Sequence, residues 1–270
     1  MLRDEIKLLR PLNCTMAGIA VIISAIIASP YEIEYKDIIL ASISAFMIAG
    51  LGNALNDYAD RYIDKIAHPE RPIPAGKIKP NSAIKISLIL IALSLFIASF
   101  INPYCFLIAL SAILLESSYA VFLNKLAIGK NVVISGLVAL LFIYGGFSVN
   151  KFLSVEIWIL SMLAFIINMA REIVKDIEDV KGDRKAGRKT LPIKHGIKKA
   201  RMLAIFFTIF AIVLSPLPYF LNIFDISYIF IVVVADAFYL YALIKISIAK
   251  NFIKAGMLIS LIAFIVGAFF

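Results

Sequence analysis

Long apolar runs alternate with short polar connections along the whole chain. A helix needs roughly 20 apolar residues to cross the hydrocarbon core of a bilayer. Runs of about that length recur at residues 11–29, 36–56, 81–101, 103–122, 131–149, 154–174, 199–220, 225–246 and 251–270. Pro and Asn residues, which commonly end helices, stand at several of the boundaries. The pattern therefore predicts nine transmembrane helices.

The basic residues divide unequally between alternate connections. Of the 27 Lys and Arg residues, all but Lys36 and Lys151 fall on one side when the connections are assigned alternately to two sides. Because Lys and Arg accumulate in cytoplasmic loops, this bias predicts a cytoplasmic N-terminus and places the end of the last helix, near Phe270, at the outer face. A miscounted helix would scramble the bias, so it also supports the number nine.

Composition agrees with this architecture. The chain has 270 residues, of which 62% are hydrophobic and only 17% charged, a balance that a water-soluble domain could not hide from solvent. We expect a single multi-pass domain over residues 1–270 in the cell membrane. The net charge of +9 follows from the positive-inside bias, so no nucleic-acid partner is expected. Cys14 and Cys105 lack partners at metal-ligand spacing and are interpreted as small buried residues.

Two connections on the basic side, about 57–80 and 175–198, are long and rich in charge, whereas the outer connections are short. Function is expected in these loops. They follow the second and sixth helices, four helices apart, which suggests two related halves without enough residue identity to establish a duplication.

The first of these regions carries a row of polar side chains. Asn53, Asn56, Asp60 and Asp64 are spaced three or four residues apart, so on a helix they share one face. Asp57 points away from that face and is expected to be either solvated or in contact with the ligands instead of binding the ion directly. Taken alone, such a row could also be an ordinary solvated helix end.

The second region repeats the pattern. Asp176, Asp179 and Asp183 again lie along one helical face. Glu178 points away and is expected to be either solvated or in contact with the ligands instead of binding the ion directly. Unpaired carboxylates next to hydrocarbon are costly, so a cation should offset them. Oxygen ligands without His or Cys nearby favour Mg²⁺, which is usually held by one or two carboxylates together with substrate phosphate. Two facing clusters could therefore hold a diphosphate between metal ions.

The two signatures resemble those of the UbiA superfamily of intramembrane prenyltransferases over essentially the whole chain. The first reads Asn56-Asp57-x-x-Asp60-x-x-x-Asp64 and is followed by Arg71-Pro72-Ile73-Pro74-Ala75-Gly76. The second reads Asp176-x-x-Asp179-x-x-x-Asp183-Arg184 and is followed by Gly187-x-Lys189-Thr190-Leu191-Pro192. The resemblance implies an all-α bundle of nine helices around a central cavity, with the active site at the cytoplasmic face. It also implies that Mg²⁺ and a prenyl diphosphate bind at Asn56, Asp60, Asp64, Asp179 and Asp183, with Asp176 alongside as a further metal ligand.

Basic residues near the motifs are candidates for stabilising the leaving diphosphate. Arg71 and Lys189 follow the two motifs directly and are the first choices. Lys125, at the end of the fourth helix, resembles a basic position of many family members, although it could equally be a positive-inside anchor. Arg10, at the start of the first helix, could bind the acceptor or simply lipid headgroups.

Two acidic residues fall inside predicted spans. An acidic residue within the membrane is a functional candidate by default. Glu116 lies about one turn before Tyr119 and is expected to face the cavity as a substrate-binding residue. Asp236 is interpreted as a structural polar contact.

The predicted reaction is metal-assisted loss of diphosphate from an allylic carbon, followed by trapping of the cation-like centre by an acceptor in a dry cavity. The run from Ala170 to Asp179 is most similar to the archaeal branch, whose members alkylate the free hydroxyl of geranylgeranylglyceryl phosphate with geranylgeranyl diphosphate. Spare cations such as Arg10, Lys125 and Lys130 could hold the phosphate of that acceptor.

Two other functions remain open from the residues. One is an aromatic-acceptor polyprenyltransferase of quinone synthesis, and the other is a cation-coupled transporter. Transporter carboxylates usually lie near the bilayer midplane, whereas the acids here concentrate at one membrane face. Prenyl length and oligomeric state are left undetermined.

Overall fold

The computed structural model describes residues 2–30, 35–121, 127–185, 187–245 and 248–269. Nine long helices lie in these ranges: α2 (Pro11–Ala28), α3 (Tyr35–Ala59), α5 (Pro80–Ser99), α6 (Pro103–Val121), α7 (Gly129–Ser148), α8 (Val155–Glu178), α11 (Ile197–Leu214), α13 (Ile226–Ile244) and α14 (Ala249–Phe269). Short helices join them: α1 (Leu2–Leu9), α4 (Arg61–Ala67), α9 (Val180–Lys185), α10 (Leu191–His195) and α12 (Leu217–Phe220).

Every predicted apolar run forms one of the long helices. Eight of them are long and apolar enough to cross a membrane, and α6 adds a slightly shorter apolar helix over Pro103–Tyr119. Helices satisfy all their internal backbone hydrogen bonds, as a segment in hydrocarbon must. The predicted all-α membrane fold is confirmed, while the side of the membrane that each end faces stays a prediction.

Pro and Asn residues stand where helices begin or end, as the sequence predicts. Pro103 is the first residue of α6, and the side-chain oxygen of Asn102 accepts a hydrogen bond from the Cys105 amide at 2.8 Å. Asn150 and Asn222 adopt left-handed backbone conformations, with φ of 58° and 56°. Asn tolerates this region better than most residues, which explains why the chain turns at these positions.

α8 lies in the centre of the bundle, where it packs against α7, α11, α14 and α2. Close approach of the helices depends on small residues, as expected where lipid provides no hydrophobic drive for packing. At Gly145 of α7, a Cβ atom would collide with the backbone oxygen of Val21 on α2. In contrast, Leu88 and Phe96 of α5 are exposed on the surface of the bundle, where lipid hydrocarbon would contact them.

Both charged connections begin in the same way. α3 is interrupted at Asp60 and α8 at Asp179, and both residues have φ of −86° and ψ of 2°. Each interruption keeps the four-residue step, because the amide of Asp64 bonds the Asp60 carbonyl at 2.8 Å and that of Asp183 bonds the Asp179 carbonyl at 2.9 Å. The following helices, α4 and α9, contact each other. The two motifs are thus built alike and meet at one end of the bundle, which we call the motif end.

Candidate active site

A single arginine joins the two aspartate motifs. The Nη2 atom of Arg188 donates to Asp60 at 2.6 Å and to Asp64 at 3.3 Å, and its Nη1 atom donates to Asp183 at 3.3 Å. Two of these carboxylates come from the first motif and one from the second. The predicted convergence of Asp60 and Asp64 with Asp183 is therefore what the structure shows.

The backbone after α9 aims Arg188 at the carboxylates. Gly187 has a φ of 71°, a left-handed conformation that suits glycine. The reversal allows the Arg188 amide to bond the Asp183 carbonyl at 2.9 Å. The chain therefore reverses direction after α9, and this reversal brings the side chain of Arg188 close to the second motif.

Arg71 contacts the first motif, while its predicted contact with the leaving diphosphate stays a prediction. Its Nη1 atom lies 2.5 Å from Asp64 and 3.5 Å from Asp57. Of the two alternatives predicted for Asp57, the solvated one is wrong, because its side chain is only 2% exposed and also accepts from Arg10 at 2.5 Å. The other alternative, contact with the ligands without binding the ion directly, stays a prediction. Arg10 adopts a left-handed conformation just before α2, and this bend directs its guanidinium toward α3.

Asp176 occupies the matching place in the second motif. It is 2% exposed, pairs with Lys130 and accepts from the Asn131 amide at 3.2 Å, both of α7. Asp57 and Asp176 are thus buried acids whose charge is matched by a cation from a neighbouring helix. Lys130 and Arg10 are consequently not spare cations, contrary to the sequence expectation. Binding of a metal ion by Asp176 stays a prediction, and such an ion would compete with Lys130 and Asn131 for the carboxylate oxygens.

Glu178 is not solvated either, so only the second of its two predicted alternatives, contact with the ligands without binding the ion, stays a prediction. Its side chain is 6% exposed, and it accepts from the backbone amide of Lys250 at 2.8 Å and lies 3.0 Å from the Nζ atom of the same residue. Lys250 also lies 3.5 Å from Asp179. These contacts fix the end of α8 against the start of α14.

The remaining acids suit a hard divalent cation. Asn56, Asp60, Asp179 and Asp183 line one cavity and offer only oxygen donors together with the Asn56 amide. Within the described ranges, no three His, Cys, Asp or Glu side chains are close enough to hold an ion by themselves. Mg²⁺ needs only one or two carboxylates when phosphate supplies further ligands, so the donor set fits Mg²⁺ held jointly with a substrate.

Electrostatics supports the same conclusion. Burial raises the pKa of Asp64, and Asp60 raises it further, although Arg71 and Arg188 act in the opposite direction. Burial likewise raises the pKa of Asp183 in spite of Arg188. The arginines therefore do not fully compensate for the burial of these carboxylates, and a bound cation would favour their charged forms further.

A cavity of about 430 Å³ leads from the motifs into the bundle. Its walls are mainly apolar side chains of α2, α3, α6, α7, α8, α13 and α14, including Ile108, Leu141 and Phe264. Asp236 and Ser215 lie deep in this cavity, and the Ser215 hydroxyl donates to Asp236 at 2.7 Å. The interpretation of Asp236 as a structural polar contact agrees with this bond, while its Oδ1 atom has no hydrogen-bond partner in the described structure.

Glu116 faces the cavity from α6, as expected. A Cβ atom on Gly52 of α3 would lie 2.6 Å from either of its carboxylate oxygens, so glycine leaves the space that the acid occupies. Within the described residues its carboxylate has no ion-pair partner. Substrate binding by Glu116 stays a prediction.

Two basic residues predicted to bind the substrate remain, Lys189 and Lys125. Lys189 is exposed and does not line the cavity, whereas its neighbour Arg188 does. Lys125 lies outside the described residues. Sequence reasoning missed Arg188, and the available signal was its position directly after a glycine that lets the chain reverse.

Comparison with known proteins gives a family for the chain. The model of the UbiA prenyltransferase family matches residues 17–265. A digeranylgeranylglyceryl phosphate synthase of Methanosphaera stadtmanae is 40% identical over 272 residues, which cover 97% of this chain and 98% of that protein.

Solved structures share the same architecture. One structure, described as digeranylgeranylglyceryl phosphate synthase in membranes, is 38% identical, has a TM-score of 0.79 and covers 99% of this chain and 98% of its own. A UbiA homologue from Archaeoglobus fulgidus bound to GPP and Mg²⁺ has a TM-score of 0.70 at 19% identity, with 98% of both chains covered. At that identity the second likeness concerns the fold alone.

Proposed function

Because this chain belongs to the UbiA prenyltransferase family, we propose that it transfers a geranylgeranyl group from its diphosphate to the hydroxyl of geranylgeranylglyceryl phosphate. The product carries the second ether bond of an archaeal membrane lipid. The chain is a multi-pass membrane prenyltransferase. The acceptor and the dependence on Mg²⁺ belong to the proposal.

One observation carries this function: two aspartate motifs, joined by Arg188, close one end of an apolar cavity. Such a cavity suits a ligand with a highly charged head and a long hydrocarbon tail. The head would lie among Asp60, Asp64, Asp179 and Asp183 and the tail among the apolar walls. A transporter site would need no such division between charge and hydrocarbon. Similarity to a digeranylgeranylglyceryl phosphate synthase supports the choice of acceptor.

The chain's own residues would act on the donor in three ways. Asn56 and the motif carboxylates would hold Mg²⁺, which when bound supplies positive charge to the leaving diphosphate. Arg71 and Arg188, which lie against the motif carboxylates, would donate hydrogen bonds to that diphosphate as its charge develops. The apolar walls would exclude water, so that the acceptor hydroxyl and not water traps the allylic carbon. The new ether bond replaces the carbon–oxygen bond to the diphosphate, and the proton of the hydroxyl leaves to the released diphosphate.

The motif end would lie at the cytoplasmic face of the cell membrane. The basis is the concentration of Lys and Arg in the connections that carry the motifs. The charged groups of both substrates would then enter the site from the headgroup region, while their prenyl chains remain in the bilayer. Protease access to the connection before α5 in oriented vesicles tests this orientation.

The acceptor is tested by offering labelled geranylgeranyl diphosphate together with geranylgeranylglyceryl phosphate or 4-hydroxybenzoate, each in a separate reaction with purified enzyme and Mg²⁺. We expect label in the glyceryl phosphate product, analysed by chromatography and mass spectrometry. Label only in the aromatic acid would assign the chain to quinone synthesis. Protein-bound label without product in either reaction would favour the transporter.

Arg188 and Lys189 provide a matched pair for testing the donor site. Arg188→Gln removes hydrogen bonds between charged groups, each of which contributes about 1.5–3 kcal/mol. We expect kcat/KM for the donor to fall by about 10–100-fold. Lys189→Gln is expected to stay within about twofold, because its side chain is exposed and away from the cavity. Steady-state assays at saturating acceptor measure both, and equal effects would contradict the assignment of Arg188.

A further inference from the structure

We propose that Arg171, Lys175 and Lys254 form a second anion site, separate from the motif carboxylates, that binds the phosphate of the acceptor. The inference rests on the proposed function and names a place for its second substrate. All three side chains line the same cavity as the motifs. Arg171 and Lys175 come from α8, and Lys254 comes from α14.

The cluster carries more positive than negative charge. Arg171 lies 2.5 Å and Lys175 lies 3.4 Å from one carboxylate, that of Glu172, whose side chain is 3% exposed. Lys254 has a neutral partner, because its Nζ atom donates to the side-chain oxygen of Asn13 at 2.8 Å. Arg171 and Lys175 thus share one carboxylate, and Lys254 has no acidic partner among these contacts, so the three cations and Glu172 together carry a formal surplus of two positive charges.

The surplus charges lie on two helices that pack against each other, α8 and α14. Arg171 and Lys254 are both half-buried in the wall of the same cavity instead of in open solvent. Like charges held together at low dielectric repel strongly unless an anion lies between them. A phosphate monoester, with about two negative charges, matches the surplus of the cluster.

Other cations near the motifs already have acidic partners. Arg10 pairs with Asp57, and Lys130 pairs with Asp176. Arg188 binds three motif carboxylates and is assigned to the donor diphosphate. The Arg171 cluster is distinguished from these pairs by its excess of positive charge.

Substrate chemistry requires such a second site close to the first. In the acceptor, the reacting hydroxyl oxygen and the phosphorus are separated by four bonds, so they are at most about 5 Å apart. The acceptor phosphate must therefore lie near the donor diphosphate, and the two anions repel each other. A separate group of cations is needed to bind both substrates at once.

The position of the cluster on α8 meets this requirement. Arg171, Lys175 and Asp179 are four residues apart, so they lie on one face with a rise of about 6 Å per step. Lys175 therefore lies about one turn, and Arg171 about two turns, inward from Asp179. The allylic carbon of the donor also lies on the inward side of its diphosphate, where an acceptor hydroxyl must approach it.

The test measures kinetics with two acceptors in phospholipid-free detergent: geranylgeranylglyceryl phosphate and the same alcohol without its phosphate. We expect Lys254→Gln and Arg171→Gln each to raise KM for the phosphorylated acceptor by about tenfold. KM for geranylgeranyl diphosphate and turnover of the alcohol without phosphate are expected to stay within about twofold. Lys198→Gln is the matched control, because Lys198 is exposed on α11 and does not line the cavity.

Arg171→Lys keeps the charge and serves if Arg171→Gln does not fold, with a smaller rise in the same KM expected. Equal losses with both acceptors, or an equal rise in donor KM, would overturn the site, because a structural role does not distinguish a phosphate. Unchanged acceptor KM in both variants would also overturn it and would indicate cations that bind lipid headgroups. If the wild-type enzyme alkylates neither acceptor, the proposed function itself fails.

Discussion

Asp60→Asn and Asp183→Asn are each expected to lower turnover by at least about a hundredfold. Asp60 and Asp183 come from different motifs but bind the same guanidinium, that of Arg188. An amide has nearly the same shape as a carboxylate but carries no charge, so it binds Mg²⁺ weakly. Loss of either carboxylate should therefore be as harmful as loss of the other. Initial rates of labelled product with saturating substrates measure this effect.

Both variants should remain folded, since neutralising one acid also relieves repulsion among the carboxylates of the site. Gel filtration in detergent and helical circular dichroism check this expectation. Glu70→Gln is the control, because Glu70 lies in the same connection with its side chain 73% exposed. Near-normal turnover by either aspartate variant would show that the motif concerned does not bind the donor.

Removal of divalent metal is expected to reduce product formation to background, and added Mg²⁺ should restore it. The reason is that every predicted ligand is an oxygen or amide group, a set that suits Mg²⁺ held jointly with the diphosphate of the donor. The measurement is the rate of labelled product in excess EDTA, before and after Mg²⁺ in excess over the chelator.

Unfolding does not explain the expected loss. Asp64 is paired with both Arg71 and Arg188 without a metal, so these ion pairs can hold the motifs together. Helical circular dichroism should therefore be unchanged in EDTA. Full turnover in EDTA would contradict the metal site, and loss of helical signal would mean that the metal supports the fold instead of the chemistry.

The helices and the two motifs could be predicted because both depend on local pattern. A span is a run of apolar residues of fixed length, and a helical face follows from a spacing of three or four residues. Asp60, Asp64 and Asp183 accordingly meet as expected. Glu116 also faces the cavity, as predicted from its position within a span.

The ion pairs could not be predicted because they depend on how distant helices pack. Asp57 is buried by Arg10, a partner 47 residues away, and Asp176 pairs with Lys130, 46 residues away. Periodicity along one helix gives no information about such partners. The choice of Lys189 failed for another reason, since the left-handed turn at Gly187 decides which neighbouring side chain points inward.

Prenyl transfer to the hydroxyl is tested by following the oxygen atom of the acceptor. Geranylgeranylglyceryl phosphate with a heavy oxygen isotope in its free hydroxyl is incubated with geranylgeranyl diphosphate, Mg²⁺ and purified enzyme, and the products are analysed by mass spectrometry. Alkylation at the allylic carbon predicts that the new ether keeps the heavy oxygen and that the released diphosphate contains none. An ether without the isotope, or recovery of the isotope in an acceptor that carries a second phosphate on that oxygen, would contradict prenyl transfer to the hydroxyl.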